Sequence, residues 1–217
     1  MTAVRALDFC QGNVYFISMR AAFKEWAVVV DALGRGEQIL ILRKGGISEG
    51  RGGFKMEHPR FFLFPTLFHQ QRESVIPSAQ ARFDEIAPQF PPPEKVRLEF
   101  FAEVIFAERL LSLSDANALR GQHVWRDEVI AERFEWGREK AIFALGVKVF
   151  RLPQPIELPM SSSYGGCKSW IELEREIAAE GSRPVLDEQV FQEKLARLRM
   201  ALSRSAQFSD TPSLHSP

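Results

Sequence analysis

The chain has only two cysteines and four histidines among its 217 residues, and no apolar run approaching the roughly 18 residues of a membrane span. Cys10 and Cys167 form neither a C-x-x-C pair nor a Cys/His zinc pattern, so a disulfide framework and a structural zinc are excluded. Both read as reduced, structural thiols. Arg5, Asp8, Gln11 and Asn13 interrupt Met1 to Arg20, which argues against a signal peptide and for a cytoplasmic protein with no membrane partner. A surplus of either charge is missing too: 28 basic residues balance 28 acidic ones. Wholesale electrostatic attraction to nucleic acid or anionic lipid is thereby excluded, and any such binding must come from a local patch.

Several catalytic signatures are also absent. There is no Gly-x-x-x-x-Gly-Lys-Ser/Thr string to cradle phosphate and no His-Glu-x-x-His, Gly-x-Ser-x-Gly or EF-hand loop. Gly34 and Gly36 lack the third glycine of a dinucleotide fingerprint. No Asp or Glu has Lys two positions later, the spacing at which metal nucleases place a carboxylate and a lysine beside the attacking water.

What is present is a 45% apolar chain able to bury a core without staples. It divides into a loosely attached leader (1–18), one globular domain (19–203) and a Ser/Pro-rich tail (204–217) expected to be disordered. Trp26 to Leu33 and Gln38 to Leu42, around Gly34-Arg35-Gly36, predict a β-hairpin. Phe61 to Phe64 predict a buried third strand, after which Thr66 is a candidate N-cap for a helix through Gln71. Ser78 opens a short helix over 79–86, and Pro91-Pro92-Pro93 is a stiff connector. From Val96 to Phe106, even-numbered apolar residues share one face of a half-buried strand. Ser114 is a candidate cap for a helix to Arg120, Arg126 to Phe134 has helical spacing, and Ala141 to Leu152 predict the last strand. Residues 184–202 carry an apolar stripe of Val190, Phe191, Leu195, Leu198 and Leu202, expected to cover the sheet.

The candidate site surrounds a loop with five glycines between Gly45 and Gly53. Arg43, Lys44, Arg51, Lys55 and Arg60, set against Glu49 and Glu57, leave three net positive charges there. Glycines beside cations let backbone N–H groups approach phosphate, and a nearby Phe or His can stack on a base. His69 and Gln70 can donate and accept at a base edge. Tyr164-Gly165-Gly166-Cys167-Lys168-Ser169-Trp170 is a second glycine turn with polar and aromatic flanks.

Phe23-Lys24-Glu25-Trp26-Ala27, Leu42-Arg43-Lys44-Gly45-Gly46-Ile47, Arg60 to Thr66 with His69-Gln70, and the 164–170 turn resemble the bacterial family called domain of unknown function 1802, over about residues 20 to 203. The resemblance implies a link to restriction and modification and a restriction-endonuclease-like protein partner. A further likeness joins the Phe62-x-Phe64-Pro65-Thr66 strand end, the 96–106 strand and Val147-x-Val149-x-x-Leu152 to PUA-like barrels of the EVE and ASCH kind. It implies an α+β fold with a mixed, mostly antiparallel, partly closed barrel, peripheral helices and a C-terminal covering helix, reading RNA or a modified base without a cofactor or metal.

Three functions follow as expectations. In the first, Arg43, Lys44 and Arg60 contact the phosphates of DNA or RNA while His69 and Gln70 recognise a base. The second is a divergent metal-dependent hydrolase or nuclease built from Glu49, Glu57, His58 and His69. The third is a protein-interaction module presenting the 184–202 stripe to a partner.

Overall fold

The structure, a computed structural model, describes residues 18–44, 57–137 and 139–209, excepting the side chains of 204–209. Residues 1–17 of the leader and the end of the tail therefore lie outside the described residues, as does the glycine loop with Glu49, Arg51 and Lys55. No helix among the described residues is long and apolar enough to cross a membrane.

The chain runs β1 (Ser18–Trp26), α1 (Ala27–Gly34), β2 (Leu40–Arg43), β3 (Arg60–Thr66), α2 (Gln70–Glu73), α3 (Pro77–Ile86), β4 (Lys95–Leu110), α4 (Leu113–Ala118) and α5 (Asp127–Glu135). It continues through β5 (Ile142–Pro159), β6 (Trp170–Ala178), β7 (Arg183–Pro184) and α6 (Glu188–Ser209). One mixed sheet has the order β2-β5-β4-β3-β1-β6, with β7 beside β5. Among the described residues only β1 and β3 pair in parallel, and the crossover between them carries α1 and β2. The expected mixed α+β class is present, but the sheet does not close: among the described residues β2 bonds only β5, and β6 bonds only β1.

The expected hairpin over 26–42 is instead a strand, a helix and a strand. Ala27 to Leu33 is apolar on nearly every side, and such a run fits a buried helix as well as a buried strand. Every α1 residue except Asp31 is buried. The glycine taken for a hairpin turn closes this helix: Gly36 sits at φ +69°, donating to the Leu33 carbonyl at 3.0 Å, while Glu37 N–H reaches Ala32 O at 2.9 Å.

In β4 the period of two breaks at a bulge between Leu98 and Phe100. An extra residue inverts which face later side chains occupy. Val96, Leu98 and Phe101 therefore join one core, and Phe100 and Ala102 the other. Thr66 ends β3 and does not cap α2, whose N-cap is His69 without a side-chain bond. Ser112, not Ser114, caps α4 by accepting from the Asp115 N–H at 3.0 Å.

The larger core lies between one sheet face and helices α1, α3, α4, α5 and α6, around the mutually packed Phe23, Phe61 and Trp170 rings. The second fills the opposite face, where the far half of β5, β6 and Tyr164 curl over Phe62, Phe64 and Phe101. Phe191, Leu195, Leu198 and Leu202 of α6 are buried in the larger core, so these four cover the sheet, while Val190 of the expected stripe is exposed.

His123, before α5, is 6% exposed beside Trp125, and burial pulls its imidazole down to about 4. The unfolded chain takes up this proton near 6.5. The neutral ring therefore leaves stability complete above that value, and stability falls as the pH drops toward 4. Urea unfolding at pH 7 and 4.5 is expected to show a loss about 2 kcal/mol larger for the parent than for His123→Gln. Equal losses would contradict this assignment.

Candidate functional site

β1, β2 and β3 end close to one another and to the turn that precedes β6. A cavity of about 340 Å³ opens there, lined by Lys24, Trp26, Arg43, Lys44, Thr66, Phe68, Arg133 and the Gly166-Cys167-Lys168 turn. Five of these residues are cationic and none is acidic.

Neutral groups hold the cations in place. Lys24 Nζ donates to the carbonyls of Tyr164 at 2.9 Å and Gly166 at 2.6 Å, which fastens the glycine turn to β1. Arg43 Nε donates to the buried Ser169 hydroxyl at 3.0 Å, and its guanidinium lies 5.2 Å from the Phe23 ring centre. Lys44 Nζ donates to the carbonyls of Phe134, at 2.9 Å, and Glu139. Arg133 stands over Trp26 at 4.6 Å and Trp125 at 5.3 Å. Carbonyls, hydroxyls and ring faces fix a cation without cancelling its charge.

Elsewhere arginines sit against carboxylates: Arg72 with Asp84 at 2.7 Å, Arg82 with Asp31 at 2.9 Å, Arg109 with Glu139 at 2.6 Å. The carboxylate of Glu25 is fully buried, 4.0 Å from Arg43 Nη1. Its Oε1 accepts the Trp26 N–H at 2.8 Å, and Oε2 has no hydrogen-bond donor among the described residues.

Crowding shows in the acid–base properties. Burial, followed by repulsion from Arg43, holds Lys24 below the usual lysine range. Burial and the nearby Lys140 do the same to Lys44. Burial brings Arg133 down to about 10, with Glu25 opposing and Arg43 reinforcing the shift, so it stays cationic at neutral pH.

Of the residues singled out in the sequence, Arg43 and Lys44 line the cavity. Arg60 does not: alternation along β3 puts it on the face of Phe62, where it pairs with Glu103 at 3.3 Å. His69 and Gln70 are exposed at the start of α2 and do not line it, although the adjacent Phe68 does, 60% exposed. His58 packs its ring edgewise on Trp170 at 5.4 Å. Of the hydrolase quartet, Glu49 is outside the described residues, and no three His, Cys, Asp or Glu side chains among the described residues gather to hold a metal.

Arg133 was not singled out in the sequence, and Lys24, Glu25 and Lys168 stood there only within the 23–27 and 164–170 motifs, without an assigned role. Lys24-Glu25 stands between two large aromatics in an otherwise apolar strand, and Arg133 shares a helix face with Ile130. A charge at a core-facing position was the available signal.

The family model described as "Domain of unknown function (DUF1802)" matches residues 22–197. Among solved structures, the chain is similar to ASCH from Zymomonas mobilis, at 12% identity and a TM-score of 0.38 over 81% of this chain and 93% of that one. Two single-residue mutants of the same protein match with 13% identity and TM-scores of 0.38 and 0.39, covering 81% and 83% of this chain and 96% and 98% of theirs. No curated protein matches.

Removing the Glu25 charge leaves Arg43 and Arg133 facing each other without a counterion. Glu25→Gln is expected to lower unfolding free energy by roughly 3 kcal/mol, read as a lower urea midpoint. A midpoint equal to the parent's would show that the carboxylate does not anchor the cluster.

Proposed function

The chain belongs to the family described as domain of unknown function (DUF1802), and we propose that it is a nucleic-acid-binding protein whose contact site is the cationic cavity at the ends of β1, β2 and β3. One observation carries this reading: among the described residues, five cations and no acidic side chain line one cavity, in a chain whose net charge is zero. Such a concentration answers the demand that composition imposes, a local patch instead of a global surplus. Lys24, Arg43 and Lys168 supply phosphate contacts, Arg43 with the planar fork suited to two phosphate oxygens. Phe68 at the rim and Trp26 in the wall offer aromatic surface to a base, the usual partner of cations in single-strand recognition.

The finer assignment is an accessory of a restriction-modification or defence system, cytoplasmic, reading RNA or a modified base alongside a restriction-endonuclease-like protein. Its support is the family resemblance. Within it, Arg60, His69 and Gln70 extend the contact surface outside the cavity.

Binding of labelled single-stranded RNA, single-stranded DNA and duplex DNA, followed by fluorescence anisotropy from 50 to 300 mM salt (a range of roughly the span over which phosphate contacts are read), tests the proposal. The parent is expected to bind with an affinity that falls steeply with salt. Arg43→Gln/Lys168→Ala is expected to weaken binding about tenfold or more and flatten the salt slope by roughly one to two. A parent-like circular dichroism spectrum and a cooperative thermal transition well above the assay temperature would show that the variant is folded. No binding by the parent, or equal binding by the folded variant, would remove the proposal.

A further inference from the structure

We infer that the cavity takes the terminal phosphate monoester of a nucleotide in preference to an internal phosphodiester, an inference that rests on the nucleic-acid reading above and specifies its ligand. The first argument is geometric. The cations come from four separate places, β1, the end of β2, α5 and the turn before β6, and line one volume. A protein that follows a strand spreads its cations along a groove spanning roughly four nucleotides or more. A space of about 340 Å³ is at the small end of the range for small-ligand sites and suits one nucleotide unit.

Charge is the second argument. Among the described residues, Glu25 sets a buried carboxylate against the five lining cations, and Glu139 acts on Lys44 as well. An internal phosphodiester brings one negative charge, whereas a phosphate monoester at neutral pH carries about 1.5 to 2, with three terminal oxygens to accept hydrogen bonds. The monoester therefore compensates more of the cluster and engages more of its donors.

Pre-organisation is the third. Lys24, Arg43 and Lys44 are already tied to carbonyls and a hydroxyl, so little side-chain freedom remains to be lost on binding. Glu25 stands behind Arg43 with Oε2 free of any described donor and fully buried, where it holds the cations without competing for the ligand. The same chemistry occurs at the end of an oligonucleotide and on a free mononucleotide, and the experiment separates the two.

Anisotropy is measured with one labelled RNA hexamer carrying a 5′-phosphate, a 3′-phosphate or hydroxyls at both ends, and competed with a nucleoside monophosphate or its nucleoside. One of the phosphorylated forms is expected to bind about tenfold tighter than the dihydroxyl form, an advantage that Arg43→Gln/Lys168→Ala abolishes. The nucleoside monophosphate is expected to compete and the nucleoside not to. Equal affinity for all three hexamers would overturn the inference and, if the variant weakens them all, leave nucleic-acid binding standing. Binding of the monophosphate without any hexamer would keep the monoester and overturn the nucleic-acid reading; absence of all binding would overturn both.

Discussion

The molecule depends on a contact between side chains at a place where backbone pairing stops. β2 and the β1–β6 edge are not joined by hydrogen bonds among the described residues, so the sheet stays open. Arg43 reaches across that opening to the Ser169 hydroxyl, the Phe23 ring and the buried Glu25 carboxylate. Lys24 fastens the 164–166 turn from the other side. Closure by side chains leaves room, and the room is the cavity.

That construction explains how a chain without net charge can present a strongly positive site. Burying a lone carboxylate is costly unless cations surround it, and concentrating cations is costly unless a carboxylate stands behind them. Glu25 meets both conditions, since it is fully enclosed and its nearest charged neighbour is Arg43. Neutral carbonyls position the Lys24 and Lys44 amino groups, so their charge persists at the cavity. Elsewhere on the described surface Arg60, Arg72, Arg82 and Arg97 are each matched with a carboxylate.

Much of the architecture was legible in the sequence, where patterns reflect a single surface. The α5 helix and the buried stripe of α6 follow from their periodicity, β3 from its short run of bulky apolar residues, and α3 from the serine and proline that bound it. Elements buried on all sides were harder to read: Ala27 to Leu33 shows no period because α1 has almost no solvent face. The β4 bulge inverts its faces without a proline or glycine to mark it. Of the site, Arg43 and Lys44 were visible as cations beside a glycine loop. Lys24, Arg133 and Lys168 were not, because they are up to 144 positions apart in sequence and converge only through the strand crossover and the turn before β6. Arg60 shows the converse: it is near the loop in sequence, yet strand alternation carries it to the other face.

The central claim is that the Glu25-backed cation cluster is where this protein meets its ligand. NMR of the amides and arginine side chains during titration with a short single-stranded oligonucleotide tests it most directly. The account predicts that shifts concentrate at Arg43 Nε, at Arg133 and at the amides of Gly166 to Lys168, with Arg72 and Arg97 unmoved. Shifts centred on α3 or α6, with the cavity signals unchanged, would contradict it.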